Sequence, residues 1–124
     1  MTDIVVLDIP AEPSLLSVVR MVVGGMAARV DLSVDEIDDV HMALEEIFYA
    51  CQEKGGESRC SLRVGAAEGV LTMEIGPYAS SSVMQRLEEP SCSLIARVVA
   101  LEVRPAAGDE LTIVLTKRRE VPRS

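Results

Sequence analysis

Cysteine is scarce in this chain, and the three present, Cys51, Cys60 and Cys92, are odd in number and form no C-x-x-C pair. Neither a disulfide framework nor a zinc knuckle is therefore expected, and no metal ligand is assigned. A reducing cytoplasm is the simplest home for such a chain. Long hydrophobic runs are missing too. The longest apolar stretch, Leu15 to Ala28, falls short of the roughly 20 residues that span a bilayer, and Arg20 and Gly24-Gly25 interrupt it. The first residues hold Asp3 and Asp8 and no basic cluster, so neither a signal peptide nor a membrane role is expected. Positive charge is in deficit, with 12 basic side chains against 20 acidic ones and a formal net charge of -8. Proteins neutralise nucleic-acid phosphates with clustered Lys and Arg, so direct nucleic-acid binding is not expected either.

What remains is a globular composition. The 124 residues are 48% apolar and 26% charged, which fits one domain spanning 1–124 and excludes a disordered chain. The acid is not spread evenly. Between Asp31 and Glu53 lie eight carboxylates (Asp31, Asp35, Glu36, Asp38, Asp39, Glu45, Glu46, Glu53) and no Lys or Arg. Removing these eight leaves 12 acidic residues against 12 basic, so the net charge belongs to this one segment.

Periodicity places the elements. Ile4 to Ile9 reads as a strand at a sheet edge, because Pro10 follows so closely. Pro13 opens a helix whose apolar residues cover more than one face, so it is expected to be largely buried, with Gly24-Gly25 loosening its last turns. Ser33-Val34-Asp35-Glu36 is a capping box that starts the second helix. Ile37, Val40, Leu44, Ile47, Phe48 and Cys51 form its apolar stripe, most carboxylates lie opposite, and Gly55-Gly56 ends it. Cys60 to Val64 and Leu71 to Ile75 alternate as a hairpin about Glu68-Gly69, stopped by Gly76-Pro77. A loop at Ala79 to Ser82, a short helix from Val83 to Glu88 and a further helix from Ser91 to Leu101 are expected next. A last hairpin pairs Leu101–Arg104 with Leu111–Leu115, and the basic tail Lys117-Arg118-Arg119 reads as solvated. The order predicts an α+β fold: a two-layer α/β sandwich, its mostly antiparallel mixed sheet covered by helices on one face.

Three stretches then carry a family resemblance: Ile9-Pro10-Ala11-Glu12-Pro13 with Val18-Val19-Arg20, Leu32-Ser33 through Ala43-Leu44-Glu45-Glu46, and Leu111 to Lys117. Together they resemble the anti-sigma-factor serine kinases of bacterial partner-switching systems, within the histidine-kinase/Hsp90-like (GHKL, Bergerat-type) superfamily. The resemblance implies an ATP site with three motifs. Its helix Glu is matched by Glu46, which would act as general base, but the magnesium-binding Asn four residues on is Ala50. The Asp-x-Gly-x-Gly that holds adenine falls on Pro77, Ala79 and Ser81, and the Gly-x-Gly-Leu phosphate loop becomes Ser91-Cys92-Ser93-Leu94. Ser91 and Ser93 retain donors for a phosphate.

Two readings follow. In one, nucleotide binding is lost or weakened, no cofactor is expected, and the chain is a regulatory binding domain. Asp35, Asp38, Asp39, Glu45 and Glu46 then form an acidic face for a basic partner, which the resemblance implies is a sigma factor or an anti-anti-sigma-like protein. In the other, the chain is an active ATP- or ADP-binding, magnesium-dependent protein serine kinase that uses Glu46. The exposed first strand suggests a homodimer in either case. His41, the lone histidine, reads as a boundary residue, and Cys51 as packing.

Overall fold

A computed structural model of the protein describes residues 2–10, 12–50, 59–79 and 95–120. Its elements are β1 (Asp3–Pro10), a 3-10 turn (Pro13–Leu15), α1 (Leu16–Arg29), α2 (Val34–Ala50), β2 (Arg59–Ala67), β3 (Val70–Ala79), α3 (Ile95–Val98), β4 (Ala100–Pro105) and β5 (Glu110–Arg118). The strands form one sheet in the order β1-β2-β3-β5-β4. Each pairing is antiparallel, so no parallel pair occurs among the described strands and the sheet is not mixed there. β1 lies at an edge, as its closing proline implies.

Alternation puts one side of each strand against the helices. Leu62, Val64 and Ala66 of β2, Leu71, Met73 and Ile75 of β3, and Ile113 and Leu115 of β5 are buried there with Val19 and Val23 of α1 and Val40, Leu44 and Ile47 of α2. Val5, Leu7 and Ile9 of β1 close the same core at its margin. Each fully buried Val, Leu, Ile or Met side chain stabilises the fold by about 1.5–3 kcal/mol relative to exposure. This two-layer arrangement is the α+β sandwich expected from the element order.

Turn chemistry fixes the connections. α1 ends in a Schellman motif, in which the Leu32 N–H reaches the Ala27 carbonyl and the Asp31 N–H the Ala28 carbonyl, with Asp31 left-handed at φ 58°. β2 and β3 are joined by Glu68-Gly69, both at positive φ as a two-residue type I′ hairpin demands.

Several expectations are corrected. Gly76-Pro77 does not stop β3, which continues to Ala79. The β3–β5 register shifts between Ile75 and Tyr78, so Gly76 and Pro77 together stand opposite Thr112 and the proline needs no ladder donor there. Gly76, at φ 140°, has no Cβ to strike the Leu111 carbonyl oxygen, which would lie 3.1 Å away. Of the helix expected from Ser91 to Leu101, residues 91–94 lie outside the described residues, Ile95–Val98 is helical, and the chain has turned into β4 by Ala100 rather than continuing as helix to Leu101. α1 is not buried all round, since Val18 and Met21 are exposed, and it runs unbroken through Gly24-Gly25. Pro13 opens the 3-10 turn that leads into α1. The loop at 80–82, the short helix at 83–88, Cys51 and Gly55-Gly56 lie outside the described residues.

Candidate functional site

α2 organises the site. Its capping box forms as the sequence implies: the Ser33 N–H donates to Glu36 Oε1 at 2.8 Å and the Glu36 N–H to Ser33 Oγ at 3.1 Å. The second carboxylate oxygen accepts from the Glu120 N–H at 2.9 Å, so Glu36 also ties the end of the chain to the start of α2. Glu36 is buried. Its pKa is held below the ordinary glutamate value, chiefly by the Ser33 backbone N–H; burial opposes this, and the Glu120 N–H, the Ser33 hydroxyl and the Lys117 charge add to it. Glu36 is thus a structural carboxylate, withdrawn from any docking face.

At about 100° per residue, Asp35, Asp38, Asp39, Glu45 and Glu46 fall within an arc of about 120° on α2, opposite the buried arc of Val40, Ala43, Leu44 and Ile47. The fold therefore brings all five to one side. It does not leave them equal. Glu45 is in an ion pair with Arg20 of α1. Asp39 accepts from Lys117 Nζ at 3.1 Å, and the same ammonium donates to the Val98 carbonyl at 2.6 Å. Asp31, just before α2, meets Arg119 at 3.3 Å. The segment has no basic residue of its own, yet neighbouring elements supply three. Among the described residues no ion pair or hydrogen bond engages the carboxylates of Asp35, Asp38 or Glu46, and these form the open part of the face.

The tail is correspondingly not solvated throughout. The Lys117 side chain is 14% exposed and bridges α2 to α3, while the Arg119 N–H donates to the Gly69 carbonyl at the β2–β3 turn. These anchors were invisible in the sequence because their partners lie far along the chain, Asp39 being 78 residues from Lys117. His41 Nε2 sits 3.2 Å from the Arg20 carbonyl, an acceptor, so that nitrogen carries a proton and the ring fastens α2 to α1.

Glu46 is half-buried on α2, and Ala50 follows one turn later. Pro77 is exposed in β3. Ser81, Ser91 and Ser93 lie outside the described residues. Among the described residues no group of three or more His, Cys, Asp or Glu side chains is placed to hold a metal, and no helix is long and apolar enough to cross a membrane.

The antiparallel sheet with helices packed on one face is an α+β sandwich, compatible with a GHKL-like fold. Comparison with known proteins narrows the class. No protein-family model matches the chain. It is 27% identical to the serine-protein kinase RsbW of Bacillus subtilis (strain 168), over 93% of this chain and 85% of that protein. It is also 27% identical to the serine-protein kinase RsbW of Bacillus velezensis and 24% identical to that of Bacillus pumilus, with the same coverage. The chain is thus similar over most of its length to proteins named serine-protein kinase RsbW, in line with the family resemblance carried by its sequence.

Proposed function

We propose that the chain is a cytoplasmic regulatory domain, 1–124, of the anti-sigma type, which acts by contact with a protein partner and in which ATP binding is lost or weakened. The observation that carries the reading is residue chemistry on α2. Where the resembling family places a magnesium-binding Asn, one turn after Glu46, this chain has Ala50, and the same helix presents Asp35, Asp38 and Glu46 with no cationic partner among the described residues. Without a metal anchored there, this charge repels a triphosphate and favours a basic protein surface. A sigma factor or an anti-anti-sigma-like protein fits that chemistry, and the RsbW homologues support a partner of this kind. Homodimerisation is part of the proposal, since among the described residues nothing pairs with the outer edge of β1, and Ile4 and Val6 of the same strand are exposed on the sheet's open face.

A second reading, an active serine kinase with Glu46 as base, is favoured by the name serine-protein kinase borne by these homologues. Melting curves with Mg-ATP, Mg-ADP and neither separate the two. A ligand at one hundred times its dissociation constant adds about 2.7 kcal/mol of stability. The proposal expects superimposable curves. A magnesium-dependent rise in melting temperature would overturn it in favour of the kinase.

A further inference from the structure

In so acidic a chain, basic side chains are expected to be consumed by ion pairs, and most are. Arg20, Arg29, Arg59, Arg63, Arg104, Lys117 and Arg119 each meet a carboxylate. Of the described basic residues only Arg97 and Arg118 do not, and neither has another hydrogen-bond partner. Both are exposed, and both line the same open groove of about 400 Å³, between the end of α3 and the point where β4 begins beside β5. Val98, Val99, Ala100, Thr116 and Lys117 complete its walls. The carboxylate that reaches this region, Asp39, is occupied by Lys117.

The backbone of the groove is also incomplete. The last β4–β5 pair is Ala100 with Thr116, after which β5 runs on through Lys117 and Arg118 with no β4 partner. The Arg119 N–H is directed at Gly69 on the β3 side. Strand alternation therefore turns the N–H and C=O of Arg118 toward the opposite side, into the slot that β4 has vacated.

We propose that this groove binds an extended acidic segment of a protein partner, with carboxylates on the Arg97 and Arg118 guanidiniums and the segment's backbone pairing with Arg118. Guanidinium forks match carboxylates in geometry, and an unpaired strand stretch supplies the main-chain bonds that a small anion does not use. The site is distinct from the open carboxylates of α2, Asp35, Asp38 and Glu46, and does not depend on the function proposed above. It lies beside Asp39, roughly 16 Å along α2 from Ala50, where the resembling family binds nucleotide.

The test is an amide NMR titration of the full chain with a hexaglutamate peptide, repeated with inorganic phosphate and with the Arg97→Gln and Arg118→Gln variants. Because neither side chain has a partner among the described residues, both variants are expected to fold with unchanged melting temperature. Peptide should shift the amides of Val98, Ala100 and Thr116 to Arg118, and each variant should weaken binding about two- to fivefold. An Arg29→Gln control, far from the groove in contact with Asp3, should bind as the parent does. The proposal is overturned if no groove amide shifts, if the shifts map elsewhere, or if the Gln variants bind normally. Equal shifts from phosphate at equal concentration would also overturn it and make the groove a small-anion site.

Discussion

Glu36 is held from two directions: its carboxylate accepts from the backbone N–H of Ser33, three residues before it, and from that of Glu120, 84 residues after it, and its own N–H is capped by the Ser33 hydroxyl. Replacing it with Gln keeps the shape but exchanges one charge-accepting oxygen for an amide that cannot accept from an N–H. We expect a loss of about 1–3 kcal/mol at neutral pH, measured by urea unfolding. The sign with pH is fixed by the lowered pKa. A depressed carboxylate contributes stability that is fully present above its ordinary value of 4.5 and is lost as pH falls through the lower folded-state value. The difference between parent and Glu36→Gln should therefore be constant above that value and shrink in acid. A difference that stays constant into strong acid would show that the charge of Glu36 does not contribute.

At the scale of elements, two glycines make opposite predictions. Gly25 lies in the middle of α1 and a Cβ there would meet nothing within 4 Å, so Gly25→Ala should stabilise by about 0.5–1 kcal/mol through helix propensity alone. Gly76 sits at φ 140° in the β3 irregularity, and a Cβ would press on the Leu111 oxygen and on Thr112 Cα at 3.3 Å, both backbone atoms held by the ladder. Gly76→Ala should cost more than about 1 kcal/mol, and thermal melts of the two variants should move in opposite directions. The same contrast explains what was legible beforehand. α2 could be read because its capping box and apolar stripe are local, with Ser33, Glu36, Val40, Leu44 and Ile47 within four turns. β3 could not be read past Ile75, because proline ends a strand only where a ladder donor is needed, and the register shift that removes this need belongs to β5. The open part of the acidic face was hidden for a similar reason: Arg20 and Lys117, which neutralise Glu45 and Asp39, come from α1 and β5. That Ala50 stands where the resemblance implies a magnesium-binding Asn, by contrast, is read from the sequence alone.

For the whole molecule, the question is which part of the -8 charge faces outward to a partner. Asp39 and Glu45 cannot test this alone, since changing either also breaks an internal bridge to β5 or α1. Asp35, Asp38 and Glu46 have no such bridges among the described residues, so a triple Asp35→Asn, Asp38→Asn, Glu46→Gln variant alters the outward field while leaving the fold's ion pairs intact. It brings the formal charge from -8 to -5. If this face meets a basic partner, complementary charge mainly accelerates association, and the benefit fades as the screening length falls from about 10 Å at 0.1 M salt to about 3 Å at 1 M. Capture of partners from the source organism's lysate should then be strong at low salt and weak at high salt for the parent chain, and weak at both for the triple variant. An Asp3→Asn change on β1, exposed and remote from α2, should leave capture as it was. Should parent and triple variant retain the same partner equally at every salt concentration, the acidic face of α2 is a solvated surface and the partner docks elsewhere.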